Sequence, residues 1–385
     1  MKVQCTEFTV RSAHGTLWDT APPFAQSLYD GGDRGEDQFG SITWLMGMAY
    51  RNVAGGRLGL RGMLSFEPWT VRGCGYPDLL ATGERCDGEP IHDRQHQHEL
   101  FMEVAARYDR PLTGSVRWQV YGGPVGEPAL GPVSFPHRTS AMPNLLAPIA
   151  HHWLDATHIT FGVVTAGIYA DRWQAEASAF NGREPDEERT DFDLAPLDSV
   201  SGRVWFLPTT TFALQISAGR LTEAEPADDS GARIDVTRVT ASATYHRALQ
   251  DGGIWATTVA WGRNAEGDHG TNALLVETNL TLADRDTWFG RFELVEKTAH
   301  DLDLHDVDST ETFTVAKLQG GYTRYLASWK GLKPGFGVSA SAGFVPRALE
   351  TMYGSRVNGG FGVFFTIRPA AMPMSMTASG SQHVH

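Results

Sequence analysis

The stretch LLVETNLTLADRDTWFGRFELVEKT, residues 274–298, holds two strands and the turn between them. Leu274, Val276, Leu280 and Leu282 fall on one face, and Glu277, Asn279 and Thr281 on the other. After Asp284-Arg285 the alternation resumes over 286–298, with Arg291 and Glu293 on its polar side. A two-residue period with one apolar and one polar face marks a sheet.

The same pattern repeats along the chain. Phe212, Leu214, Ile216 and Ala218 oppose Gln215 and Ser217, and Val239, Ala241, Ala243 and Tyr245 oppose Arg238, Thr240, Ser242, Thr244 and His246. Leu58, Leu60, Leu64 and Phe66 oppose Arg61, Ser65 and Glu67, and Phe361, Val363, Phe365 and Ile367 oppose Gly360, Gly362, Thr366 and Arg368. Strands are expected near 23–30, 39–52, 57–70, 98–110, 112–123, 157–169, 172–181, 195–207, 209–222, 233–248, 252–264, 271–284, 286–298, 311–328, 333–346 and 355–368, about sixteen in all.

Their connections alternate in length. Short turns fall at 52–56, 110–111, 170–171, 208–209, 249–252, 284–285 and 330–334; long ones cover 31–38, 71–97, 124–156, 182–194, 223–232, 265–270, 299–310 and 347–354. A soluble sandwich buries its apolar faces between two sheets and has no reason to sort its loops by length. A transmembrane antiparallel up-and-down β-barrel does, with short periplasmic turns and long outer loops. Aromatics near strand ends (Trp44, Tyr50, Phe66, Trp118, Tyr121, Trp173, Trp205, Phe212, Trp255, Trp261, Trp288, Tyr322) fit interfacial girdles. The chain thus divides into an N-terminal segment 1–22, a barrel over 23–368 and a tail over 369–385.

Composition agrees. Of 385 residues, 41% are apolar and 20% charged, and no run of eighteen apolar residues offers a membrane helix. Barrel strands alternate, so a mean hydropathy of −0.26 is compatible with membrane insertion. A net charge of −13 excludes a nucleic-acid partner that needs a basic stripe. The start, MKVQCTEFTV, has no apolar h-region, so a trimmed or misassigned N-terminus is expected. Cys74 and Cys86 share one loop and are compatible either with a disulfide or with two free thiols.

Several long motifs carry a resemblance. DRQHQHELFMEVAARY (93–108), GEPALGPVSFPHR (126–138), HHWLDATHITFGVVTAGI (151–168), EASAFNGREPDE (176–187), LQISAGRLTEAE (214–225) and WATTVAWGRN (255–264) resemble an uncharacterised family of bacterial outer-membrane β-barrel proteins. The resemblance covers residues 25 to 368 and implies an outer-membrane location and a porin-like barrel, without an activity. Some similar proteins carry Met- and His-rich tails, as do outer-membrane proteins of copper resistance.

Three groups of residues are candidates for chemistry. The polar strand faces place Arg61, Glu103, Arg107, Arg117, Glu176, Arg203, Arg238, Glu277, Arg291, Glu293 and Lys317 toward the lumen. Mixed rings of fixed charge select solutes in pores, and the same charges can instead pair and close the lumen. His92, His96 and His98 end one long loop; His137, His151, His152 and His158 lie in the longest, Tyr121–Ile159. These loops emerge on one side, so their imidazoles can meet with Asp93, Asp155 or Glu99 to hold copper or another divalent metal, or can simply fasten the loops to the wall. The tail adds Met372, Met374 and Met376 with His383 and His385, donors suited to copper. No G-x-S-x-G elbow, H-E-x-x-H or phosphate-binding Gly loop is present, so no enzyme is expected. The reading is a porin-like passage or binding protein for small solutes or ions among outer-membrane lipids; the alternative is a copper-type metal-handling barrel.

Overall fold

A computed structural model describes residues 18–21, 38–226, 233–267, 269–304 and 307–370. Its strands are β1 (Trp18–Ala21), β2 (Ile42–Val53), β3 (Gly56–Ser65), β4 (Tyr76–Cys86), β5 (Glu89–Gln95), β6 (Phe101–Thr113), β7 (Val116–Gly126), β8 (Thr160–Ala170), β9 (Trp173–Phe180) and β10 (Ser199–Phe206). They continue as β11 (Phe212–Pro226), β12 (Arg233–Ala248), β13 (Ile254–Glu266), β14 (His269–Leu282), β15 (Asp286–Thr298), β16 (Thr312–Tyr325), β17 (Leu332–Phe344) and β18 (Val357–Pro369). Sixteen of these form one closed antiparallel barrel; β4 and β5 make a separate hairpin inside the loop between β3 and β6. Closure runs through β1, which pairs with β2 over Trp18–Ala21 and with β18 at Thr20↔Ile367.

The wall follows the two-residue period. Outward positions are apolar and exposed: Leu214 and Ile216 on β11, Val259 and Trp261 on β13, Phe292 and Leu294 on β15, Phe361 and Val363 on β18. A belt this continuous has no partner within the protein and is built for lipid. Near the short turns, rings touch across strands: Phe212–Tyr245 at 5.1 Å, Tyr245–Trp255 at 5.2 Å, Trp288–Tyr322 at 5.3 Å and Phe336–Phe365 at 5.0 Å. This is the girdle on the turn side. Four residues expected in girdles face inward instead: Trp44, Tyr121 and Trp205 are buried, and Tyr50 lies on the inner face of β2. On β2 the run ITWLMGMAY is apolar on both faces, so its period does not say which side is lipid. Trp205 lies inside under the Arg203 guanidinium, 5.6 Å from the ring centroid.

Element boundaries differ from expectation at a few places. The first strand is Trp18–Ala21, inside the segment expected to precede the barrel, and 22–37 lies outside the described residues. β3 stops at Ser65, where Pro68 helps start the short helix α1 (Glu67–Thr70). The turn expected at 110–111 falls at 114–115: Pro111 is accommodated in the ladder opposite Arg117, and Gly114, with φ +55, turns the chain. The connection expected to be long at 265–270 is short, because Glu266 and His269 remain paired and Gly267 takes φ +57. Among the described residues, the long connections between β3 and β6, β7 and β8, β9 and β10, β15 and β16, and β17 and β18 do lie on one side. The hairpin β4–β5 is tied at its tip by a Cys74–Cys86 disulfide, so the open question of these two thiols resolves in favour of the bond.

The interior is not a plain polar channel. Three apolar clusters occupy it, and each joins wall residues to loop residues. One packs Leu275, Val295 and Val315 of the wall against Leu79, Leu80, Ile149, Trp153 and Leu154. A second packs Met46, Met63, Met102 and Phe161 around Phe135. A third places Leu130 against Tyr121, Val163, Phe180 and Val236. The inner wall toward the long loops is therefore apolar where polar faces were expected.

Candidate functional site

The site is the lumen and the segment 127–159 that crosses it. Gly126 and Thr160, at its two ends, pair directly across β7 and β8. Between them the chain leaves the wall and folds inward. Ala129 N donates to Ser178 Oγ on β9 (2.7 Å), and Gly131 N donates to Ser217 Oγ on β11 (2.8 Å). Ser140 Oγ lies 2.7 Å from Thr258 Oγ1 on β13, and Asn144 Nδ2 donates to Gln319 Oε1 on β16 (2.7 Å). Ala150 N donates to Glu293 Oε1 on β15 (3.0 Å), and Trp153 Nε1 to Thr271 Oγ1 on β14 (2.8 Å). These contacts run from β9 round to β16, so the segment spans the lumen rather than lining one side. Its short helix α2 (His151–Leu154) lies on β13, where a Cβ on Gly262 would come within 2.2 Å of the Trp153 carbonyl oxygen. Only glycine lets the helix backbone approach the wall so closely.

A buried ion network fixes the middle of the segment. Arg138 donates from Nε to Glu277 Oε1 (2.5 Å) and from Nη1 to Asp155 Oδ2 (2.8 Å) and the Val133 carbonyl (2.8 Å). Glu277 also accepts from Arg291 Nε (3.0 Å) and Ser140 Oγ (2.8 Å). Asp155 accepts from Phe135 N (2.8 Å) and faces His151 Nδ1 (2.8 Å). Burial pushes the Asp155 carboxyl up, but Arg138 and His151 outweigh it and hold the group below the usual carboxylate range. Sequence reasoning had singled out Glu277 and Arg291 but not Arg138, whose role depends on a loop path that no periodicity encodes.

All eleven expected lumen charges face the interior, and most are consumed by pairing. Arg61 meets Glu103 at 3.1 Å, and Tyr121 Oη donates to Glu103 (2.8 Å). Arg203 meets Glu176 at 3.1 Å and donates to the Gly131 carbonyl (3.2 Å). Lys317 pairs with Asp78 of β4 and donates to the Leu79 carbonyl (3.0 Å), which anchors the hairpin in the lumen. Arg238 donates to Asn264 Oδ1 (2.8 Å), Arg107 to Gln119, and Arg117 to Asp109 (3.0 Å, from Nε). Arg117, toward the turn side, has 28% of its side chain exposed.

Five of the seven expected histidines come together. His98 and His158 lie 5.3 Å apart, His151 and His158 5.0 Å, His151 and His152 5.8 Å, and His96 and His98 6.4 Å between ring centroids. Phe135 packs against His98, His151 and His158. His92 is elsewhere, beside Asp93 (3.0 Å) and Asp303 (3.6 Å). His137 is half-buried, and desolvation holds it below the usual imidazole range against the Glu127 and Glu103 charges. Much of the group is engaged: His98 Nδ1 with Glu67 (3.0 Å), His151 with Asp155, His158 Nδ1 with the Asp155 carbonyl (3.0 Å), His96 Nδ1 with the Gln97 carbonyl (2.9 Å). Glu67 in turn accepts from Trp44 Nε1 (2.7 Å) and His98 N (3.0 Å), so His98 binds α1 to the segment. Burial, reinforced by His151 and His98, keeps His158 well below its ordinary value, and burial with Arg189 does the same for His96.

Among the described residues, His152 alone of the expected metal residues belongs to a group of three whose possible ligand atoms converge, with Glu184 and Glu225 as partners. From the sequence, Glu184 lies in an acidic run, 183–193, that reads as a solvated loop able to hold divalent cations loosely; Glu225 was missed. Met372, Met374 and Met376 lie outside the described residues. Among the acidic residues of the β9–β10 loop, Asp193 is pushed up to about 6 by burial, with the Asp186 and Asp191 charges adding to the effect.

No protein-family model matches the sequence, and no curated protein matches it. Solved structures do. OprB of Pseudomonas putida superposes with a TM-score of 0.56 at 9% identity, over 92% of this chain and 93% of that one. An anion-selective porin from Comamonas acidovorans gives 0.54 at 10% identity, over 92% and 98%. OmpF of Salmonella typhi in complex with daunomycin gives 0.51 at 11% identity, over 91% and 96%. At these identities the likeness is one of fold. The chain is a transmembrane β-barrel with the architecture of the bacterial outer-membrane porins.

Proposed function

We propose that the protein is a porin-like barrel of the bacterial outer membrane whose lumen is narrowed by its own segment 127–159, admitting ions and small solutes and holding back larger ones. The observation that carries this reading is the course of that segment across the lumen, bonded to strands from β9 to β16. A sixteen-stranded barrel otherwise leaves an aqueous channel. Here the space is divided by a packed loop and by the β4–β5 hairpin. The Arg61–Glu103 and Arg117–Asp109 pairs leave fixed charge of both signs in the interior, and fixed charge of this kind selects among ions. The outer belt requires lipid as its partner. Copper handling through the clustered imidazoles draws less support, since those rings are largely engaged with carboxylates, carbonyls and one another.

Refolded full-length protein in a planar bilayer is expected to give small, steady unitary currents. In a liposome-swelling assay it is expected to pass monosaccharides faster than larger sugars. Absence of current at high protein load, or a wide pore indifferent to solute size, would overturn the proposal.

A further inference from the structure

We propose that His152, Glu184 and Glu225 form a binding site for a borderline divalent cation of the Zn²⁺ type, on the long-loop side of the barrel. The proposal stands apart from conduction and does not depend on it. The three residues come from α2, the β9–β10 connection and the end of β11, and their ligand atoms lie within 4.8 Å of one another. They line a small pocket together with His96, His158 and Arg238.

The local backbone is arranged to bring the carboxylates in. A register shift in β11 between Leu221 and Glu225, with Glu223 at φ +50, interrupts the alternation. Glu223 is thereby available to Arg183 (2.6 Å), while Glu225 lines the pocket. Bulges re-aim side chains in this way beside functional sites. Glu184 N donates to the Ala224 carbonyl (3.0 Å), and Arg233 donates to the Glu223 (2.7 Å) and Ala224 (2.8 Å) carbonyls, which clamps the two segments together. Asn264 Nδ2 donates to the His152 carbonyl (3.1 Å) and fixes the third donor.

Two observations point to a ligand. His152 is only 8% exposed, lies 3.3 Å from Glu184 through Nδ1, and has a buried Nε2 without a hydrogen-bond partner. His158, also 8% exposed and also in the pocket wall, has an equally unpartnered Nε2. The nearby guanidinium of Arg183 does not serve Glu184 or Glu225, being taken by Asp198 (2.9 Å) and Glu223. Arg238, in the pocket wall and held through Nε by Asn264, offsets part of the negative charge, and the two carboxylates and one imidazole face each other with the remainder uncompensated. Imidazole with carboxylate suits Zn²⁺, Ni²⁺ or Cu²⁺, and the lack of sulfur disfavours Cu⁺. Ligands on Zn²⁺ stand about 2.0–2.2 Å from the ion, so the triad closes slightly on binding and leaves open positions for water.

The test is a Zn²⁺ titration of refolded full-length protein in detergent by calorimetry. Glu184→Gln and Glu225→Gln preserve shape and are expected to weaken one equivalent of binding at least tenfold. Asp191→Asn/Asp193→Asn and His383→Ala/His385→Ala are expected to leave that equivalent intact. Resistance of the folded barrel to SDS shows that each variant is native. No Zn²⁺ binding by the native protein, or unchanged binding in both glutamine variants, would overturn the proposal, as would loss confined to the aspartate or tail variants.

Discussion

Replacing residues 128–158 with a short Gly/Ser turn is expected to raise the unitary conductance of the refolded barrel severalfold. The wall tolerates the excision because its ladder does not depend on the segment. Gly126 and Thr160 already face each other as the last pair of β7 and β8, so a tight turn can join them as in a hairpin. What is lost is the bridge from Ser178 to Gln319 and the segment's share of all three apolar clusters. Inward residues such as Met46, Phe161, Leu275 and Val315 would then meet water, and stability falls accordingly. Conductance and the size cutoff for sugars check the prediction. An excised barrel that is folded and conducts no better than the native protein would show that the segment is not what narrows the passage.

Glu277→Ala is expected to be among the most damaging single changes in the lumen. Its carboxylate is 1% exposed and neutralises both Arg138 and Arg291. Removing one member of a buried charge network leaves the others without compensation and typically costs about 3–5 kcal/mol. Here Arg291 loses its carboxylate partner, Arg138 keeps only Asp155, and Ser140 loses one of its two partners. The segment also loses its charged tie to β14, keeping the Trp153–Thr271 and Asn279–Thr139 bonds, so lower unfolding stability and a noisier, larger conductance are expected together. Glu277→Gln keeps the shape and one acceptor oxygen and is expected to fall between. Denaturant unfolding monitored by tryptophan fluorescence, with bilayer recordings on the same samples, measures both effects. Native stability in the alanine variant would mean that this network is not what holds the segment.

Much of the wall was legible in the sequence because it obeys a single period. Arg233–Ala248 and Asp286–Thr298 end where the alternation ends and turn residues begin. The period fails on β2, where apolar residues occupy both faces because the inner one packs against Phe135 and its neighbours. Trp205 was placed in a girdle for the same reason: an inward aromatic in a loop-filled barrel cannot be told from an outward one by composition. The lumen charges were identifiable as inward groups, but their partners were not. Arg138, Asp78 and Asp155 come from the two long loops, and their positions depend on paths through three dimensions. Glu184 and Glu225 were hidden in the same way. One looks like part of a solvated acidic loop, and the other reaches the pocket only because β11 carries a register shift before it. The histidine motifs signalled that two loops converge, and they do, around Phe135. Their main use there is to join loop to loop and to α1.

The central claim is that segment 127–159 lies inside the barrel against β13 and β14. The most direct measurement is cross-linking of a Ser140→Cys/Thr258→Cys pair in a Cys5→Ser background, in membrane-inserted protein. The native hydroxyl oxygens are 2.7 Å apart, close enough for a disulfide after small adjustment. The account predicts that the pair oxidises readily, that both thiols resist a bulky maleimide, and that the native Cys74–Cys86 bond is unaffected. A pair that stays reduced and reacts fully with the maleimide would place the segment outside the lumen and contradict the account.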